Sequence, residues 1–158
     1  IVIRFKEEEV RSMGRTAHGV RGITLEEGNE VIGMETITAD STTTILAVTE
    51  GGYGKRTRVS EYRIQGRGGK GIISVKTNER NGLAVGFIQV RDEDQVMIMT
   101  AQGKVLRCRV DGIREAGRNT QGVRLLDVED HDDRIVSVAK LAESVEISVE
   151  EGEPSDSE

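Results

Sequence analysis

Arginine and glycine recur along this chain at fixed spacing, and together these residue types can bind phosphate. Guanidinium forks bind phosphate through paired hydrogen bonds, and glycine lets backbone N–H groups approach it closely. The stretch from Thr49 to Gly71 returns 51 positions later, where Arg56, Arg63, Gly66, Arg67 and Gly71 become Arg107, Arg114, Gly117, Arg118 and Gly122. Arg4, Arg11, Gly14, Arg15 and Gly19 form an earlier partial copy, 52 positions before the second. This long period predicts an array of three similar units.

Basic residues gather in one half of each unit and acidic residues in the other. Residues 55–70 hold six bases and one acid, whereas acids cluster at 79, 92–94 and 129–133. Because repeated units superpose, bases at one phase of the repeat are expected to line one rim. We predict that this rim binds the phosphates of a nucleic acid. The candidate residues are Arg15, Arg21, Lys55, Arg56, Arg58, Arg63, Arg67, Lys70, Lys104, Arg107, Arg109, Arg114, Arg118 and Arg124.

The expected partner is double-stranded DNA, bound without reading its sequence. No zinc-ligand spacing, aromatic platform or recognition helix is evident, so binding would depend on phosphate contacts along a curved surface. Neutralising ~5 phosphates would give a slope of about −4.5 for log K against log salt. The alternative is a protein-interaction propeller, whose arginines are ordinary surface charges paired with neighbouring acids.

The elements that would position these bases are short β-strands. Runs rich in Ile, Val and Thr, bounded by Gly, Asn and Asp, predict an all-β fold with about four strands per unit. That organisation favours propeller blades, with repeats near 1–65, 66–116 and 117–142. The predicted strands include 1–5, 23–25, 31–37, 44–49, 55–62, 72–76, 83–90, 95–100, 105–110, 123–127 and 135–141. Three blades leave two open blade faces, which the rest of a longer chain or self-association would cover.

Composition argues against catalysis and against a membrane protein. A single cysteine, Cys108, permits no intramolecular disulfide, and His18 and His131 lack neighbours at metal-ligand spacing. Tyr53 and Tyr62 are predicted to pack within the repeat. No membrane-spanning run or signal peptide is visible, so the chain is expected to be cytoplasmic. It opens at Ile1 without Met, in what reads as the middle of a strand, so we expect a piece of a longer polypeptide.

The final residues, 143–158, carry seven acids and no base, which predicts a disordered acidic tail. Without them the chain has 22 bases and 21 acids. Two interpretations stay open: a solubilising end, or a segment that competes with DNA for the basic rim.

Four runs resemble the C-terminal domain of the DNA gyrase A protein: 14–23, 52–57, 61–63 and 117–123. The resemblance implies a six-bladed β-pinwheel, a propeller whose blades exchange strands and whose rim wraps DNA. The chain would be the last three blades plus the tail, supporting ATP-dependent negative supercoiling by a type IIA topoisomerase. It also implies gyrase B and the rest of gyrase A as partners, nucleoid association, and no cofactor here. ATP and Mg²⁺ would bind elsewhere, and the DNA-cleaving tyrosine would lie in the absent N-terminal part.

One motif departs from the family's pattern. The family's wrapping motif reads Gln-Arg-Arg-Gly-Gly-Lys-Gly and belongs to its first blade. Here the loop Gln65, Gly66, Arg67, Gly68, Gly69, Lys70 and Gly71 matches six of seven positions, with Gly66 replacing the first arginine. We interpret this loop as a partial copy of the motif at the equivalent position of a later repeat. The C-terminal domain of topoisomerase IV is the closest rival within the family.

Overall fold

The computed structural model describes residues 1–38, 42–128 and 133–141, and its seven strands all pair antiparallel. No α-helix occurs in these ranges, and none of their helical turns is long and apolar enough to cross a membrane. The strands are β1 (Thr44–Thr49), β2 (Tyr53–Arg58), β3 (Ala84–Val90), β4 (Gln95–Thr100), β5 (Val105–Arg109), β6 (Val123–Arg124) and β7 (Ile135–Lys140). Single 3₁₀ turns lie at Glu7–Glu9, Val59–Glu61 and Val110–Gly112, spaced at the period of the repeat.

The strands form two sheets that are copies of each other. One sheet has the order β3-β1-β2-β6 and the other has the order β5-β4-β7. β4 and β7 begin 51 residues after β1 and β3, and they pair in the same way. The first sheet therefore combines strands from all three units, as expected of blades that exchange strands. The expectation of an all-β, propeller-type fold is confirmed.

Aliphatic side chains hold the two sheets together. Residues from both sheets form one fully buried cluster, consisting of Leu46, Val48, Val90, Val96, Ile98, Val110, Ile113 and Ile135. Gly86 of β3 allows this close packing, because a Cβ atom there would lie 2.0 Å from a methyl carbon of Val138 on β7. Burying one such side chain stabilises a fold by roughly 1.5–3 kcal/mol. This core holds the two sheets against each other.

The N-terminal segment of the first unit joins the array through single backbone bridges. Val2 pairs antiparallel with Ile72, and Arg4 pairs parallel with Ile64. These bridges are the counterparts of Gly54 with Val123 and of Arg56 with Glu115, one unit later. The repeat seen in the sequence is therefore also a repeat of backbone contacts.

Several strand boundaries differ from the sequence-based prediction. Thr44–Thr49 and Gln95–Thr100 are confirmed, but the strands predicted at 1–5, 23–25, 31–37 and 72–76 are wrong. Within the described ranges these segments form isolated bridges or no ladder, and a strand requires consecutive hydrogen bonds to a neighbour. The predicted acidic tail at 143–158 and most of the acidic turn near 129–133 lie outside the described residues.

Candidate nucleic-acid interface

The first repeated position holds the inner arginines (Arg4, Arg56, Arg107), of which Arg4 and Arg56 connect one repeat to the next. Arg56 is buried, its Nε donates to the carbonyl oxygen of Ile113 at 2.7 Å, and it forms an ion pair with Asp92. Arg4 repeats the arrangement by donating to the carbonyl oxygen of Tyr62, 51 positions before Ile113, at 3.1 Å. The expectation that Arg56 lies on an exposed rim is wrong, because the segment 113–116 pairs with its backbone and Asp92 pairs with its guanidinium. Arg107 is exposed.

Lys55 is also buried, which overturns its predicted place on the rim. No part of its side chain is accessible, and its Nζ donates to the carbonyl oxygens of Gly117 and Arg118 at 2.5 Å. Burial lowers the pKa of Lys55 from 10.5 to about 8, since a charged amine loses hydration inside the protein. Lys55 therefore anchors the third unit's loop and has no access to a DNA phosphate.

The second repeated position holds the clasp arginines (Arg15, Arg67, Arg118). The backbone N–H of Arg67 donates to the carboxylate of Glu9 at 2.7 Å, and its guanidinium donates to the carbonyl oxygen of Arg21 at 2.5 Å. Arg118 has the same two bonds one unit later, to Glu61 at 3.1 Å and to the carbonyl oxygen of Ile73 at 2.8 Å. We call this arrangement the clasp. Arg67 and Arg118 are half-buried in it, while Arg15 is exposed.

The third repeated position holds the outer arginines (Arg11, Arg63, Arg114), which are all exposed. Each comes directly after a 3₁₀ turn and the one residue that closes it. Among the described residues, the side chains of Arg63 and Arg114 have no hydrogen-bond or ion-pair partner. Their charge is free to meet an external anion. Arg11 was not among the predicted contact residues, although the repeat of Arg63 indicates its place.

The remaining predicted bases are exposed, and surface ion pairs to described residues involve several of them. Arg58 pairs with Glu115, Arg109 with Asp111 at 2.7 Å, and Arg124 with Asp127 at 3.0 Å. Hydrogen bonding to Arg109 lowers the pKa of the Asp111 carboxyl. Exposed pairs are weak and screened by salt, so a phosphate can compete for these guanidinium groups. The other exposed candidates are Arg21, Lys70 and Lys104.

The loop at residues 65–71 is held by the first unit. The Gly68 N–H donates to the carbonyl oxygen of Gly22 at 2.8 Å, so this donor is already used inside the protein. Gly71 has φ +76°, and a Cβ atom there would lie 2.4 Å from the Val2 carbonyl oxygen. Glycine is needed at this place because φ is positive and the backbone of Val2 passes beside it. Lys70 remains exposed.

Sequence reasoning missed a basic residue beside the third unit's loop. Arg80 lies in the turn before β3, its Nη2 donates to Oε1 of Gln121 at 2.5 Å, and its Cζ lies 4.9 Å from the ring centre of Tyr53. Arg124 approaches the same ring at 5.8 Å. The equivalent turn of the first unit, residues 26–30, contains no basic residue, so the spacing of the repeat did not predict Arg80.

The described residues show packing roles for the tyrosines and the cysteine. Tyr53 and Tyr62 are buried, and the Tyr62 hydroxyl shares a 2.9 Å hydrogen bond with Ser74. Burial raises the pKa of both Tyr62 and Cys108. His18 is exposed, and His131 lies outside the described ranges. The part of the chain that the structure describes has no group of three or more His, Cys, Asp or Glu residues placed to hold a metal ion.

Stacked sheets with exchanged strands and a repeated exposed arginine define a propeller-type domain with a basic surface. The sequence matches the family described as "DNA gyrase C-terminal domain, beta-propeller" over residues 1–38, 43–91 and 94–142. The chain belongs to this family.

Relatives by sequence bear the gyrase A name. The chain is 47% identical over 156 residues to the DNA gyrase A protein of Staphylococcus aureus (strain NCTC 8325 / PS 47), a match that covers 99% of this chain and 18% of that protein. It is 48% identical over 145 residues to the DNA gyrase A protein of Escherichia coli (strain K12), covering 92% and 16%. The chain therefore spans less than a fifth of the length of these relatives.

Solved structures agree with the fold. The C-terminal domain of DNA gyrase A superposes with a TM-score of 0.76 at 29% identity, over 87% of this chain and 46% of that one. The C-terminal domain of DNA topoisomerase IV superposes with a TM-score of 0.79 at 28% identity, over 87% and 42%.

Proposed function

We propose that this chain is part of a domain that binds and wraps double-stranded DNA without reading its sequence. The observation that carries the proposal is the set of outer arginines. They recur at the period of the repeat, 52 and 51 residues apart, and Arg63 and Arg114 have no partner among the described residues. Unpaired exposed guanidinium groups are suited to phosphate, which they bind with two parallel hydrogen bonds.

The connections between the units supply the curvature that wrapping requires. Arg4 and Arg56 repeat one contact, and the clasps of Arg67 and Arg118 repeat two, so neighbouring repeats are joined in the same way. A duplex that follows the outer arginines bends with the array, and phosphate contacts offset the bending energy. Binding then depends on backbone charge and DNA stiffness, with no base contact.

In the longer protein, this domain would support ATP-dependent negative supercoiling by a type IIA topoisomerase. We assign DNA cleavage and ATP hydrolysis to other parts of gyrase A and to gyrase B, with which the domain would assemble on DNA in the bacterial cytoplasm. A cofactor is not part of the function proposed for this chain. The acidic segment 143–158 would compete with DNA for the basic surface, because seven acids follow that surface in the sequence.

A second candidate is the C-terminal domain of topoisomerase IV. The solved domain of that enzyme superposes slightly better than the gyrase domain, with TM-scores of 0.79 and 0.76. The family match and 47–48% identity to gyrase A favour gyrase.

Ligating nicked circular DNA in the presence of the chain separates wrapping from binding, because wrapping changes the linking number of the closed circles.

The direct test is a fluorescence titration of the 158-residue chain against duplexes of unrelated sequence at several salt concentrations. We expect similar affinities for all duplexes and a linear fall of log K with log salt, with a slope of about −4.5 for ~5 phosphates. Absence of binding at low salt would contradict the proposal and would favour a protein-interaction propeller. Strong preference for one duplex would contradict sequence-independent binding.

A further inference from the structure

The second and third units differ at one charged position of the loop that follows the outer arginine. Both loops begin with a glycine and a clasp arginine, and both end at a glycine with positive φ, +76° at Gly71 and +82° at Gly122. Just before that final glycine, the second unit has an exposed lysine, Lys70, whereas the third unit has the neutral Gln121. The repeated basic surface thus loses one charge in the third unit.

Arg80 supplies a positive charge beside Gln121 of the third unit's loop. Its guanidinium Nη2 lies 2.5 Å from Oε1 of Gln121. The turn that carries Arg80 is well anchored, because the Asn81 side chain is fully buried, donates to the carbonyl oxygen of Lys76 at 2.8 Å and accepts from the N–H of Asn78 at 2.7 Å. The corresponding turn of the first unit, residues 26–30, contains no basic residue, and the loop that follows it already has Lys70.

Tyr53 holds two guanidinium groups at this site. The Cζ atoms of Arg80 and Arg124 lie 4.9 and 5.8 Å from the centre of its ring, and Nη2 of Arg124 lies 3.4 Å from its hydroxyl oxygen. Asp127 forms an ion pair with Arg124 at 3.0 Å, whereas Arg80 has no carboxylate partner among the described residues. The three charged side chains therefore carry one net positive charge on an exposed surface. An anion with several acceptor oxygens suits this arrangement.

We propose that Arg80 contacts a DNA phosphate beside the third unit's loop. It supplies, next to Gln121, the positive charge that Lys70 supplies at the equivalent position of the second unit's loop. The ligand is the phosphodiester backbone of duplex DNA, so this inference rests on the DNA binding proposed above. Tyr53 and Gln121 orient the guanidinium, which lowers the entropy lost when a phosphate binds. The contact is specific to this unit and is not part of the threefold repeat.

The test is the salt dependence of duplex affinity for Arg80→Ala, Gln121→Lys and the double variant in the 158-residue chain. Arg80→Ala removes one phosphate contact, so the slope of log K against log salt becomes less negative by about 0.9. Adding Gln121→Lys to Arg80→Ala restores the slope by returning the lysine found in the second unit. The control is Arg91→Ala, which removes an exposed arginine at the other end of β3 and leaves the slope unchanged.

Three other outcomes would count against the proposal. If Arg80 only packs on Tyr53, Arg80→Ala lowers the melting temperature, leaves the slope unchanged and is not rescued by Gln121→Lys. If Arg80→Ala and Arg91→Ala make the slope less negative by the same amount, the effect comes from the protein's overall charge and the assigned site is wrong. If the unaltered chain binds no DNA, both this inference and the proposed function fail. In the first two outcomes the unaltered chain still binds DNA, so only this inference fails.

Discussion

Replacing the buried Lys55 with methionine should remove a pH dependence of stability from this protein. The amine is inaccessible and donates to the carbonyl oxygens of Gly117 and Arg118. A neutral amine retains two N–H donors, so both hydrogen bonds survive loss of the proton while the cost of burying the charge disappears. The folded protein should therefore become more stable as Lys55 loses its proton.

The sign and size of the effect follow from the two pKa values. The pKa of Lys55 is about 8 in the folded state, against an ordinary 10.5 in the unfolded chain. Between these values the unfolded chain holds the proton and the folded protein does not, so the free energy of unfolding rises with pH. The gain is complete above 10.5 and is lost as the pH falls through 8. From pH 7 to pH 9.5 it amounts to about 2 kcal/mol.

Urea denaturation at pH 7 and pH 9.5 measures this difference. The unaltered chain and the exposed-site control Lys70→Met should both show the gain, and Lys55→Met should lack it. Comparing variants removes the contribution of other groups that titrate in this range. An equal pH response in Lys55→Met and in the unaltered chain would refute the assignment of the shifted pKa to a buried Lys55.

Three further predictions concern the loops and the tail. Gly122→Ala should reduce stability by about 1–3 kcal/mol in urea denaturation, because φ is +82° and a Cβ atom would lie 2.5 Å from the Gly54 carbonyl oxygen; Gly66→Ala, which meets no atom within 4 Å, is the control. Arg118→Ala should lose about 1 kcal/mol of unfolding free energy by opening the clasp, whereas Arg114→Ala should change it by less than about 0.5; equal losses would contradict the clasp. Deleting 143–158 should tighten DNA binding in a fluorescence titration, and unchanged affinity would leave the acidic segment a solubilising end.

The sequence predicted the strands best where whole runs are apolar. Thr44–Thr49 is buried along its full length, and such a run between turn residues has few alternatives to a central strand. The repeat predicted an array of similar units, and positions 51 or 52 residues apart indeed form equivalent bonds. The apolar runs and the spacing of the repeat were therefore enough to predict the all-β fold and its repeated units.

The burial of Lys55 and Arg56 could not be predicted in that way. A strand with two adjacent bases is typical of a solvent-exposed surface. The groups that bind these side chains lie 57–63 residues further along the chain for the carbonyl oxygens and 36 residues away for Asp92. Only the folded arrangement of one unit against the next brings these partners together. Periodic spacing alone does not separate an arginine that joins units from one that binds a ligand.

The most direct test of the central claim, that the exposed outer arginines contact DNA, is the salt slope of the double variant Arg63→Ala/Arg114→Ala. Each substitution removes one phosphate contact, so the slope of log K against log salt should become less negative by about 1.8. Urea denaturation should show an intact fold, because neither side chain has a partner among the described residues. A folded double variant with the slope and affinity of the unaltered chain would contradict the account.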